Sequence, residues 1–79
     1  MATTTQVSRE KAQAALARVL LQKVQQDTHP SSTHLAMLEQ TMPPSMYGDY
    51  LTMLLSKVAA DRSPSVSMLA RIKRFTEKL

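Results

Sequence analysis

The chain has no cysteine, no tryptophan, one glycine among its 79 residues and only three aromatic side chains, Tyr47, Tyr50 and Phe75. Each shortage removes a class of protein. Without cysteine there is no disulfide framework and no thiolate metal site. A single glycine excludes a glycine-rich phosphate cradle and leaves little scope for tight hairpins, and nowhere do apolar and polar residues alternate long enough for a strand. No apolar run approaches the length that spans a bilayer. Residues 1–7, MATTTQV, lack the basic start and hydrophobic centre of a secretory signal, so an intracellular, cytoplasmic protein with a flexible tail over 1–7 is expected. Carboxylates are also scarce, six against ten lysines and arginines. The resulting net charge of +4 favours acidic partners.

What remains is the composition of helices. From Ser8, a good N-cap with Glu10 in the first turn, to about Gln26 the residues are strong helix formers. His29 precedes Pro30 and is pushed away from helical geometry, so the first helix should end near Asp27 or Thr28. Ser31 and Ser32 offer caps for a second helix to about Thr41, with Leu35, Leu38 and Met42 on one face. Pro43 and Pro44 end it, and Ser45 is placed to cap a third helix whose apolar stripe is Tyr47, Tyr50, Leu51, Leu54 and Val58. A fourth helix is expected from about Ser65 to the end of the chain, with Leu69, Ile72, Phe75 and Leu79 facing inward.

Two of these stretches match each other. Laying residues 16–41 over 50–75, an offset of 34, gives nine identities in 26 positions: Leu20/Leu54, Leu21/Leu55, Lys23/Lys57, Val24/Val58, Asp27/Asp61, Pro30/Pro64, Ser31/Ser65, Leu35/Leu69 and Ala36/Ala70. About one or two would arise by chance at ordinary composition. The expected fold is therefore all-α, one helical domain over 8–79 built as two tandem helical hairpins, an internal duplication in a compact four-helix arrangement. A 34-residue period is also that of tetratricopeptide repeats, but the Trp, Gly and Tyr positions of that pattern are missing.

The shared residues are those that build a hairpin: apolar stripe, proline stop, serine cap. Charge is not shared. The first copy carries Arg18, Lys23, Asp27 and Glu39 and sums to zero, whereas the second carries Lys57, Arg62, Arg71, Lys73 and Arg74 against Asp61 and sums to +4. Arg71, Arg74 and Lys78 fall at i, i+3 and i+7 on the fourth helix, with Lys73 beside them and Arg62 in the preceding turn. Such a basic face can dock an acidic protein surface or lie on phosphates. A solvated helix end collecting cations at the negative end of its dipole is the plainer explanation.

The first and third helices carry apolar arcs of roughly 200°, wider than one groove needs. Either they are central helices touched on two sides, or Leu21, Leu55, Met53 and Met37 form an apolar surface for another subunit or partner. Methionine suits the second role because its thioether adapts to what it meets. Catalysis finds little support: the serines sit at caps and turns with no histidine placed to activate them, and the carboxylates are scattered singly. His29, His34 and Asp27 lack the spacing of a metal site, and copy two has Ser63 and Met68 where the histidines stand. No cofactor and no enzyme activity are expected. The function read from these residues is a small interaction module, adaptor or assembly subunit, expected to be a homo-oligomer. The alternative is a helix-turn-helix-like DNA-binding regulator using the basic fourth helix, against which stands a turn of proline and serine where glycine is usual.

Overall fold

The computed structural model describes residues 8–79, and the tail read over 1–7 lies outside them. Among the described residues the regular structure is helical, with no strand. In chain order come α1 (Arg9–Gln26), α2 (Ser32–Thr41), a 3-10 turn (Pro44–Met46), α3 (Tyr47–Ala60) and α4 (Val66–Thr76). The chain divides after Pro43 into two compact units. In the first, α1 packs on α2; in the second, α3 packs on α4 and on the 3-10 turn.

The first hairpin begins where the capping chemistry places it. Ser8 Oγ accepts from the Lys11 N–H at 3.1 Å, and α1 runs to Gln26 with Glu10 in its first turn and Lys23 in its last, both favourably placed along the helix dipole. Pro30 has no N–H and forces His29 out of the helical region, so the chain must leave the helix before it. It leaves at Asp27, whose extended backbone donates its N–H to the Val24 carbonyl at 3.2 Å. Ser31 then caps α2 through Oγ, which accepts from the His34 N–H at 3.0 Å. Ala17 and Val24 of α1 and Leu35, Leu38 and Met42 at the α2 side are buried in this unit, as is Pro30 in the turn between the helices.

The second hairpin repeats that turn in detail. Asp61 has φ/ψ of −89°/131° where Asp27 has −86°/131°, and Ser65 has −69°/148° where Ser31 has −69°/145°. The Asp61 N–H donates to the Val58 carbonyl at 3.2 Å, and Ser65 Oγ accepts from the Met68 N–H at 3.1 Å. Asp61 also accepts the Ser63 N–H on its carboxylate at 3.0 Å, which fixes the turn as it leaves α3.

Three expectations are corrected. Ser45 does not cap α3: it lies inside the 3-10 turn, the N-cap position falls to Met46, and no side chain bonds there. Two consecutive prolines fix the backbone at the start of this segment, and a tight i→i+3 turn leads into the helix without a hydroxyl. α4 ends at Thr76, short of the C-terminus, and the Glu77 N–H closes back onto the Arg74 carbonyl at 3.2 Å. Of the four residues assigned inward on α4, Ile72 and Phe75 are buried while Leu69 and Leu79 are exposed. The helix buries only the stripe centred between Ile72 and Phe75, and Leu69 falls near its edge.

The second core is aromatic. Phe75 stands edge-on to both tyrosines, its ring centroid 4.9 Å from Tyr47 and 4.9 Å from Tyr50. Among the described residues no buried side-chain nitrogen or oxygen lacks a hydrogen-bond partner, so neither hairpin carries that penalty.

Candidate interaction surfaces

The apolar surface suggested by Leu21, Leu55, Met53 and Met37 resolves into different environments. Met37 and Leu55 are exposed, Leu55 by 51%, and Leu21 is half-buried. Met53 is corrected outright: at 7% exposure it is a core residue. On a helix Met53 lies one turn from Tyr50 and beside Leu54, both fully buried, so the buried arc of α3 spans about 160° and takes Met53 in at one edge. Leu55 falls just beyond the other edge. Helical period sets it apart from the buried face once that face is known.

Other apolar residues supply the exposed surface. On α1 the exposed side chains are Leu16 and Val19, not Leu21. Ala17 and Val24 set the direction of the buried face, and Val19 stands on the far side of it. On α4, Val66 is 81% exposed and Leu69 is also open. The aligned pair Val19 and Met53 shows how far the hairpins diverge, 51% exposed in one and 7% in the other. Leu69 reads as core from its spacing to Ile72, Leu16 and Val19 merge into the wide apolar arc of α1, and Val66 lies opposite the buried stripe of α4, where no periodic signal singles it out.

Of the five residues of the candidate basic face, four are exposed. Arg62, Lys73, Arg74 and Lys78 are exposed, whereas Arg71 is half-buried and already engaged within the chain. Lys73 and Arg74 lie in the last turn of α4, at the negative end of its dipole. Lys78 folds back so that Nζ stands 5.8 Å from the Phe75 ring centroid, inside cation–π range. Its charge therefore lies over the Phe75 ring while the residue stays exposed. The accessible cationic surface is Arg62 at the turn and Lys73, Arg74 and Lys78 at the far end of the helix.

A shallow groove of about 200 Å³ lies in the first hairpin, lined by Glu10, Gln13, Ala14, Gln40, Thr41, Met42 and Pro43. Thr41 Oγ1 donates inward to the Met37 carbonyl at 2.9 Å, so that hydroxyl is committed to the helix. Among the described residues no three His, Asp or Glu side chains gather as a metal would require, and no helix is long and apolar enough to cross a membrane. His29 sits in the turn before Pro30 and engages a neighbour; His34 gives its backbone N–H to the α2 cap. Comparison with protein-family models, curated proteins and solved structures gives no match to this chain.

Proposed function

We propose that this chain is a non-enzymatic helical interaction module, an adaptor or assembly subunit acting in the cytoplasm. The observation that carries the reading is the set of large apolar side chains left exposed on all four helices, Leu16, Val19, Met37, Leu55, Val66 and Leu69, while a separate set fills the cores. Single exposed apolar residues are ordinary, but several on consecutive helices of so small a protein mark surface that association can cover. The exposed cations Arg62, Lys73, Arg74 and Lys78 add a second, electrostatic surface suited to an acidic partner. Self-association is the first form to test, because a chain of this size without disulfides gains stability from any contact that favours the folded state.

Sedimentation across the micromolar range tests it. A concentration-dependent mass that falls when Leu16, Val19 and Leu55 become glutamine supports the module. A monomer at every concentration, with unchanged behaviour of the triple variant in host extract, removes it.

A second reading has one specific observation in its favour: exposed Arg62 in the turn between α3 and α4, followed by a helix bearing Lys73 and Arg74, with Lys78 just past its end. A DNA-binding regulator would use that turn and α4 as a helix-turn-helix. Binding of duplex DNA that weakens steeply with salt, and weakens further in Arg74→Ala, is its signature. No mobility shift at low salt excludes it.

A further inference from the structure

We propose that Ser63 is a phosphorylation site for a proline-directed serine/threonine kinase, and that the phosphate weakens the hold of the α4 cations on an acidic partner; the second half rests on the function proposed above.

Ser63 is the one serine or threonine in the chain that precedes a proline. Proline disfavours helical geometry at the residue before it and leaves the extended region open, and extended backbone is what a kinase cleft accepts. The side chain is exposed, in the five-residue connection between Ala60 of α3 and Val66 of α4. Its backbone N–H is given to the Asp61 carboxylate at 3.0 Å on the surface, a bond that solvent can replace at small cost.

Its neighbours are poorer substrates. Ser65 has its hydroxyl committed as the α4 N-cap, accepting from the Met68 N–H at 3.1 Å, and Ser67 lies within the helix with its oxygen 3.3 Å from that of Ser65. Position 29, the counterpart of Ser63 in the first hairpin, is histidine. The matched turn geometry is therefore common to both hairpins while the acceptor hydroxyl belongs to one.

The step is ordinary phosphoryl transfer. Ser63 Oγ attacks the γ-phosphorus of a nucleoside triphosphate; the new O–P bond forms as the bond to the bridging oxygen breaks, nucleoside diphosphate departs, and the hydroxyl proton passes to the kinase's carboxylate base. The product places a charge of about −1.5 to −2 next to Arg62, two residues before the α4 cap. Residues 44–79 carry six cations against three carboxylates, so one phosphate removes about half to two-thirds of their net charge. Arg62 is the neighbouring residue in the chain and an exposed cation suited to pair with it, and the positive end of the helix dipole favours it, so the fold tolerates the group.

The test uses the full chain with a purified proline-directed kinase of the cyclin-dependent class and Mg-ATP, read by intact mass and fragmentation. One phosphoryl group on Ser63 in the parent, absent from Ser63→Ala, is expected; no incorporation, or equal incorporation in the variant, overturns the site. The modified and unmodified chains are then eluted from heparin with salt. Earlier elution of the phosphorylated chain, reversed by phosphatase, supports the regulatory half, and identical elution overturns it. If the unmodified chain is not retained at all, the basic-face reading and the regulation fall together, while the Ser63 site is still decided by the mass alone.

Discussion

Phe75 meets Tyr50 edge-on, ring centroids 4.9 Å apart with the planes at 69°, and meets Tyr47 at the same distance with the planes at 79°. All three aromatic residues of the chain therefore form one cluster, joining the start of α3 to the end of α4. The Asp61 to Ser65 turn closes the hairpin at one end. The aromatic cluster closes it at the other.

Truncating that cluster should be the most damaging single change. Phe75→Ala removes a ring that is 3% exposed and both its edge contacts, at a cost of about 3–5 kcal/mol. Phe75→Leu retains most of the apolar volume and should cost less. Urea denaturation followed by far-ultraviolet circular dichroism measures both, and a Phe75→Leu midpoint equal to the parent's would show that the edge contacts carry no weight.

The two serine caps should prove energetically equivalent. Ser31→Ala and Ser65→Ala each remove an Oγ that accepts a backbone N–H three residues on, at 3.0 and 3.1 Å, and each should cost about 1 kcal/mol, with glycine less harmful at both. Ser45→Ala should cost nothing comparable, since Ser45 caps no helix. Shifts in thermal midpoint across the three variants check the order.

Met53 and Leu55, two residues apart on α3, should separate stability from association. Met53→Ala opens a core position and should destabilise by about 2–5 kcal/mol. Leu55→Gln touches exposed surface and should leave stability within about 0.5 kcal/mol. On the proposed function it lowers the sedimentation-detected mass at a given concentration. A folded Leu55→Gln chain that associates as the parent does would place the interface elsewhere.

The cations of α4 should differ in kind. Arg74→Ala should lower the salt at which the chain leaves heparin and spare its stability, because Arg74 is exposed. Arg71→Ala should also lower the thermal midpoint, because Arg71 is half-buried and holds an interaction within the chain. Lys78→Ala should show a small loss of both, through its position over the Phe75 ring.

Much of the backbone was legible in advance. Ser8, Ser31 and Ser65 start helices, and Pro30 and Pro64 stop the preceding ones, because cap chemistry and the missing proline N–H act within a few residues. Those effects need no distant partner. The 3-10 entry to α3 was less legible, since Ser45 looks like a cap in any local reading and Met46 does not.

The amino-acid sequence by itself determined an all-α chain, the order of its helices, the limits set by Ser8, Pro30, Ser31, Pro64 and Ser65, and the matched turns at Asp27–Ser31 and Asp61–Ser65. All of these depend on short-range sterics and hydrogen bonds. Which apolar residues are core was decided only in three dimensions. Val19 and Met53 occupy matched positions on similar helices, yet one is open and the other buried. Burial depends on what arrives from elsewhere in the chain, and helical period fixes only which residues share a face. The same reason separates Arg71 from Arg74: one stripe in sequence, two environments once the helices pack.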